Sequence, residues 1–256
     1  MMTAMSHPWL IFSAGFLAGA MNALAGGGSF VTLPALIAVG VPSVQANASS
    51  TAALFPGGVA GAWAYRDGLG PLATVPLRRL LLTTLFGGAI GAILLLQTPV
   101  ATFDVVLPWL LLLATLALGF GRRLGEAMRR RWRTRRWLVL LIQGGLGVYG
   151  GYFGGSVGIM MMALWGLLDG RDFKSLNAPR TLLVSAANTI AVLVFICARA
   201  VRWPETLVML AAAIVGGYGG AQVGRRAPPR VVRTGTILLT ACITATYFAR
   251  AHFLKP

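Results

Sequence analysis

Acidic side chains are scarce in this 256-residue chain: Asp and Glu together number 6, against 22 Lys and Arg. They are Asp67, Asp104, Glu126, Asp169, Asp172 and Glu205, each in a polar stretch or at the edge of an apolar one. With no carboxylate inside an apolar run, the sequence predicts neither an intramembrane proton relay nor a cation ligand set. Histidine is limited to His7 and His252, near the two ends, so no general base, metal cluster or cofactor is expected. Two cysteines, Cys197 and Cys242, lie in apolar runs and make no disulfide framework. No nucleophile–base pair or Walker loop is visible, which argues against an enzyme.

Long charge-free stretches stand in place of these groups. Residues of the apolar class make up 57% and charged residues 11%, with a mean hydropathy of +0.76. A soluble domain carries charge on about a quarter of its residues. No charged residue precedes Arg66, and none falls within 80–103, 105–121, 137–168, 181–198, 206–224 or 234–249. Several of these runs reach the roughly 17–25 residues that a helix needs to cross about 30 Å of hydrocarbon. The chain therefore reads as an all-α polytopic membrane protein. Ala23-Leu24-Ala25 mimics a signal-peptide cleavage site, but residues 1–8 carry no basic side chain and a similar run recurs later, so no cleavage is expected.

The net charge of +16 has two physical readings. A basic chain has an electrostatic reason to bind phosphate, but Arg beside membrane spans is also what cytoplasmic loops carry. Residues 122–136 hold eight Arg and one acidic residue, Glu126, with Trp132 and Trp137 as interfacial anchors. The second reading prevails: the partner is a lipid bilayer and not nucleic acid, in a multi-pass cell-membrane protein whose 122–136 loop is cytoplasmic.

On either side of that loop the same order of features appears twice. Gly19 and Gly26-Gly27 match Gly147 and Gly154-Gly155. Asn47-Ala48 and Thr51 match Asn177-Ala178 and Thr181, Gly87-Gly88 and Gly91 match Gly216-Gly217 and Gly220, and Pro99 matches Pro228. The expected organisation is a first transmembrane repeat over 1–121, a linker over 122–136 and a second repeat over 137–256. In the first repeat the predicted segments are 8–25, a half-span at 29–39 of about 17 Å, then 47–65, 80–96 and 105–121. If the first two form a hairpin or two full crossings, each repeat has an odd number of spans and the repeats are inverted. That arrangement puts more of the Lys and Arg inside than parallel repeats do, including Arg225, Arg226, Arg230 and Arg233.

The glycine breaks are the candidate site. Gly26, Gly27 and Gly28 interrupt a helix, and Ser29 before a new apolar helix is a good N-cap. The N–H groups that start that helix are expected to be unpaired, which is costly at membrane depth and favours an anion at the positive end of the helix dipole. Gly154, Gly155 and Ser156 repeat the arrangement. Asn47, Ser49, Ser50 and Thr51 open one following span, and Asn177, Arg180 and Thr181 open the other. Capping by Asn47 and Asn177, with Pro179 in a first turn, is the structural reading beside substrate binding. Arg180 borders a charge-free span, where a cation needs a partner, a function or a route to the interface. Asn188 is a buried amide that requires hydrogen-bond partners. The remaining glycines, Gly57-Gly58 among them, read as helix-packing residues.

The run GGGSFVTLPALIAVGVPSVQANASST resembles the first-half signature of the TauE/SafE sulfite exporter family, also called the toluene sulfonate uptake permease family. GGYFGGSVGIMMMALWGLLDGRDFKSLNAPRTLLV resembles its second-half signature. The resemblance implies about eight transmembrane helices and transport of a small sulfur-containing or organic anion, of the sulfite, sulfonate or sulfoacetate type. Met162 where Pro34 stands, and Pro179-Arg180 where Ser49-Ser50 stands, imply unequal contributions from the halves. A secondary transporter, in this form or as a homo-oligomer, is the expected function. The competing reading is a membrane assembly factor or scaffold acting through its basic loop.

Overall fold

The computed structural model describes residues 7–24, 26–72, 75–129, 135–154, 157–168, 173–226 and 229–253, with side chains described for all of these except 121–129, 166–167, 173–174, 224–226, 229–230, 232–233 and 250–253. Among the described residues there are ten α-helices and no strand. They are α1 Pro8–Leu24, α2 Ser29–Ala38, α3 Ser43–Ala64, α4 Leu77–Gln97, α5 Val100–Arg129, α6 Arg136–Phe153, α7 Val157–Leu168, α8 Phe173–Cys197, α9 Trp203–Arg226 and α10 Pro229–Phe253.

Four helical stretches are long and apolar enough to cross a membrane: Leu77–Gln97, Val100–Phe120, Ser175–Cys197 and Trp203–Val223. Pro8–Leu24, Ser29–Ala38 and Thr234–Ala249 are apolar but shorter. Large apolar side chains such as Phe86, Trp109, Leu141 and Tyr218 stand more than half exposed on the outer surface. That is the expected exterior of a helical bundle solvated by lipid, in which every backbone bond is satisfied within its own helix.

Several helices begin earlier than the sequence suggests. The third predicted segment, placed at 47, starts at Ser43 behind Pro42, so Asn47 lies in the second turn and is not an N-cap. Likewise α8 starts at Phe173, which places Asn177 and Pro179 inside the helix. Proline at position 42 or 76 directly before a helix supplies the extended entry, with ψ near 140° at both. The segment expected at 105 starts at Val100, and α5 continues to Arg129, so most of the Arg-rich linker has helical backbone.

Helices of opposite halves touch through their backbones. A Cβ on Gly87 would lie 2.5 Å from the Gly144 carbonyl oxygen, one on Gly91 would strike the Val148 carbonyl, and one on Gly151 would strike that of Gly88. These contacts advance together along both chains, so α4 and α6 run in the same direction. Gly15 meets Met209, Gly19 meets the Ala213 carbonyl, and Gly216 and Gly220 meet Phe16 and Ala20, so α1 and α9 are also parallel. Such close approach requires hydrogen in place of a side chain. By contrast, Gly57, Gly58 and Gly61 have nothing within 4 Å, and the packing role expected for Gly57-Gly58 is not seen.

A different contact joins α5 and α10. Thr115 and Thr244 share a 3.0 Å hydroxyl hydrogen bond, while Trp109 stacks edge-on against Phe248 with ring centroids 5.2 Å apart. One set of numbers falls as the other rises, so these two helices are antiparallel. A buried polar chain also ties α4, α6 and α7 together: Trp165 Nε1 donates to Gln143 Oε1 at 3.0 Å, and Gln143 Nε2 donates to Thr84 Oγ1 at 2.7 Å. Every side-chain polar atom named there has a partner, which makes the buried Gln143 tolerable.

Gly151→Val should lower the melting temperature in detergent by the equivalent of about 1–3 kcal/mol, the usual cost of overpacking where backbone cannot yield. Gly145→Ala, with open space at that position, should be neutral or stabilising by up to about 1 kcal/mol. Equal effects of the two substitutions would contradict the backbone contact.

Candidate functional site

The two glycine breaks are helix stops before they are anything else. Gly26 and Gly27 have φ of 76° and 95°, and Gly154 has φ of 68°, all in the left-handed region where a side chain is strained. The Gly26 N–H reaches back to the carbonyls of Met21 at 3.1 Å and Asn22 at 3.3 Å, closing the end of α1. Gly154 closes α6 in the same way, through a 2.7 Å bond to Gly150.

The start of α2 departs from expectation. Ser29 is the first helical residue, and the preceding position is Gly28, with no side-chain cap there. Most of the N–H groups around the start of α2 are also taken. Gly28 N–H donates to Asn22 Oδ1 at 3.0 Å, six residues upstream, and Phe30 N–H and Val31 N–H donate to the carbonyls of Gly27 and Gly28. Asn22 thus performs the capping assigned to Ser29 on sequence grounds. It is an amide just before a break, within reach of the N–H groups beyond it.

Several hydroxyls chosen from sequence are engaged within the fold. Ser50 is hydrogen-bonded to Thr32, which joins α2 to α3. Thr51 Oγ1 donates to the Asn47 carbonyl at 2.9 Å, and Thr181 Oγ1 donates to the carbonyls of Asn177 and Ala178. Each such back-bond occupies the one hydrogen a hydroxyl can offer. These residues keep acceptor lone pairs but have no free donor.

The halves meet at the end of α6. Asn47 Nδ2 donates to the Tyr152 carbonyl at 2.9 Å, and Gly154 lies so close to Thr51 that a Cβ there would strike the threonine hydroxyl. Across the other break, the nearest atom to a Cβ on Gly26 would be Ile159 of α7, at 4.0 Å. Arg180 reaches the start of α7, where a Cβ on Gly158 would be 3.5 Å from its Nη1. On α8, Arg180, Val184 and Asn188 follow at intervals of four and share a face. Val184 also touches Gly158, and Ala187, beside Asn188, touches Gly150. Gly154 at the end of α6 therefore lies against α3, and Gly158 in the first turn of α7 lies against α8. Gly155 and Ser156 of this turn lie outside the described residues.

Among the described residues five buried side-chain atoms have no hydrogen-bond partner, Ser43 Oγ, Asn47 Oδ1, Arg180 Nε, Asn188 Oδ1 and Glu205 Oε2, and three of them belong to residues chosen from the sequence, Asn47 on α3 and Arg180 and Asn188 on α8. Leaving a buried donor or acceptor unpaired costs about 1–3 kcal/mol, and more for a charged group. A guanidinium Nε–H with no protein partner is a donor suited to a carboxylate, sulfonate or sulfite oxygen. The two amide oxygens call for a hydrogen-bond donor. Among the described residues no group of three or more His, Cys, Asp or Glu could hold a metal ion.

Residues 11–247 match the model of the sulfite exporter TauE/SafE family, nearly the whole chain. The chain belongs to that family. It is 27% identical over 236 residues to a probable membrane transporter protein of Haemophilus influenzae, covering 92% of each chain. It is 29% identical to the probable membrane transporter protein ORF9 of a Sinorhizobium species, over 84% of this chain and 81% of the relative. To the probable membrane transporter protein YfcA of Escherichia coli it is 25% identical, over 95% and 90%. No solved structure matches the chain. Membership in this transporter family accords with the multi-pass architecture of long apolar helices.

Sequence reasoning missed Asn22, Thr32, Gln143 and the burial of Glu205, and gave Ser49 no partner. Ser49 Oγ accepts the Arg202 N–H at 2.9 Å, across the two halves. Glu205 lies at a span edge, as the sequence places it, but it is only 8% exposed in the first turn of α9.

Gly154→Ala should destabilise the protein both through its φ and through contact with Thr51. A double-mutant cycle with Thr51→Ala should recover part of the loss, with a coupling of about 0.5–3 kcal/mol in thermal or denaturant unfolding. Strict additivity would show that the two residues do not touch.

Proposed function

We propose that this protein is a secondary transporter of a small anion, sulfur-containing or organic, held between the two glycine breaks with Arg180 as its charged contact. The buried, unpartnered Nε of Arg180 beside the α7 start carries this reading. Among the described residues no acidic side chain stands against it. An oxyanion that takes the guanidinium edge, and also carries a hydroxyl or an acid proton, satisfies an orphaned amide oxygen of Asn47 or Asn188 as well.

The two halves form inverted repeats in this reading. Thr115 and Thr244 are separated by 129 residues, the offset that relates Gly87 to Gly216, so each is the other's counterpart. A hydrogen bond between counterparts lies on a pseudo-twofold axis. The antiparallel course of α5 and α10 supports an axis that turns one half upside down. The pairing of α1 with α9, and of α4 with α6, supports the same operation, since the shift converts one pair into the other. An axis in the membrane plane brings both breaks near the bilayer midplane and makes inward- and outward-open states related forms of one structure. The α1–α2 hairpin and an odd number of spans per half put residues 122–136 in the cytoplasm with the clusters at 225–233. Substrate passage then follows from rocking of one helix group against the other.

Arg180→Gln should lower proteoliposome flux of sulfite or methanesulfonate at least about 10-fold, the effect of losing about 1.4 kcal/mol of binding. Gly27→Leu should abolish it, because φ of 95° and the turn cannot accept the side chain. Both variants should insert and elute as wild type in size-exclusion chromatography. Undiminished flux in Arg180→Gln would overturn the assignment.

A further inference from the structure

The third helices of the two halves, α3 and α8, match in sequence but are covered differently. The spacing that relates Asn47 to Asn177 and Thr51 to Thr181 also relates Gly57 to Ala187, Ala60 to Ile190 and Gly61 to Ala191. In the same way Gly88 of α4 corresponds to Gly217 of α9, and Gly150 of α6 to Asn22 of α1. In the second half this face is shut. Ala187 and Ala191 are wholly buried. A Cβ on Gly88 would lie 2.8 Å from Ile190 Cγ2 and 3.3 Å from Ala187 Cα, and one on Gly150 would lie 3.4 Å from Ala187 Cβ. In the first half the same positions are open. Gly57 and Ala60 are exposed. A Cβ on Gly57, Gly58 or Gly61 would meet nothing within 4 Å, and one on Gly217 would meet only Gly19 of α1, at 3.7 Å.

The separation begins part-way along α3. Towards its start Ser49 Oγ accepts the Arg202 N–H, and Leu54 shares a buried cluster with Ala18 of α1 and Ala213 of α9. Beyond Leu54 stands Pro56, inside the helix. Proline has no N–H for the carbonyl four residues back, and its ring crowds that carbonyl, so a helix bends there. The counterpart of Pro56 is Ala186, and the proline within α8 is Pro179, two turns earlier. Glycine inside a helix is less favourable than alanine. Gly57, Gly58 and Gly61 gain no close contact in return, whereas Gly88 and Gly150 do.

We propose that α3 beyond Pro56 is a gate that closes on α9. It swings on Pro56 until Gly57 and Ala60 rest against Gly217, as Ala187 and Ile190 rest against Gly88 here, and the α8 face opens in exchange. Glycine at 57 and 217 permits that approach in the closed form. Helix α3 ends on the side where α4 begins, and α6 runs parallel to α4, so the gate lies on the side of residues 122–136. The structure is then the form open to the cytoplasm, with the opening, by the same correspondence, towards Asn22 and the first glycine break. The exchange between halves rests on the reading of this chain as a transporter of inverted repeats; the hinge itself is a property of α3 and α9.

Cross-linking in proteoliposomes tests it, in a Cys197→Ser/Cys242→Ser background. Gly57→Cys/Gly217→Cys has room for both side chains in the open form, and should form a disulfide with copper phenanthroline as the gate closes. Pro56→Ala should slow that reaction. Gly150→Cys/Ala187→Cys, whose 3.4 Å Cβ separation is close to that of a disulfide, should cross-link in the form described here. Either bond should stop methanesulfonate flux until dithiothreitol reduces it. Failure of the 57–217 pair to cross-link, in protein that elutes as wild type, overturns the gate, as does a cross-link that leaves flux unchanged. A cross-linking rate that Pro56→Ala does not alter overturns the hinge. A 57–217 disulfide that forms while even unlinked protein moves no methanesulfonate upholds the hinge and counts against sulfonate transport.

Discussion

Backbone-to-backbone contact between helices of opposite halves is the constraint on which this structure depends. In lipid there is no hydrophobic gain from bringing two apolar helices together, so association rests on close packing. Gly87, Gly91, Gly147 and Gly151 give α4 and α6 that closeness, and Gly15, Gly19, Gly216 and Gly220 give it to α1 and α9. Each pair joins one half of the chain to the other. The halves are consequently interlocked and do not sit as two separate bundles, and the ends of α1 and α6 are carried to where the other half can reach them.

Breaking a helix at membrane depth leaves backbone groups that must find partners. The chain supplies them locally. Asn22 takes the Gly28 N–H, Thr32 ties α2 to α3 through Ser50, and Asn47 secures the last carbonyls of α6 at Tyr152. Once these bonds are made, few buried side-chain atoms of α3 and α8 are left over among the described residues: Ser43 Oγ, the Nε–H of Arg180 and the amide oxygens of Asn47 and Asn188. A site with so small a remainder has chemical character, because the ligand must answer the atoms that the fold has not already answered. The start of α2, which first suggests an anion, has most of its N–H groups answered within the chain.

Much of this was legible in the sequence. Charge-free runs of span length announced the membrane helices, and Gly87, Gly91, Gly216 and Gly220, which stand out in the sequence by their matched spacing, are held by contacts that allow no side chain. Arg180 stood out as a cation beside a long apolar run. Helix starts were less legible: Asn47 and Asn177 look like caps, but Pro42 and the residues from Phe173 onward let each helix begin a turn earlier, and tertiary packing overrides the local signal. Ser50, Thr51 and Thr181 read as donors because a sequence does not show where a hydroxyl hydrogen points. The burial of Glu205 was invisible for a related reason. Its burial depends on the helices packed against α9, which only the long-range fold brings there.

The central claim is that an anion sits at the α6–α7 turn against Arg180. Crystals of the protein grown with selenite, and phased at the selenium edge, test it most directly. The account predicts an anomalous peak within hydrogen-bonding distance of the Arg180 guanidinium, between Gly158 and the Thr51–Gly154 contact, that disappears in Arg180→Gln. A peak found only among the arginines of 122–136, or one at the turn that persists without Arg180, would contradict it.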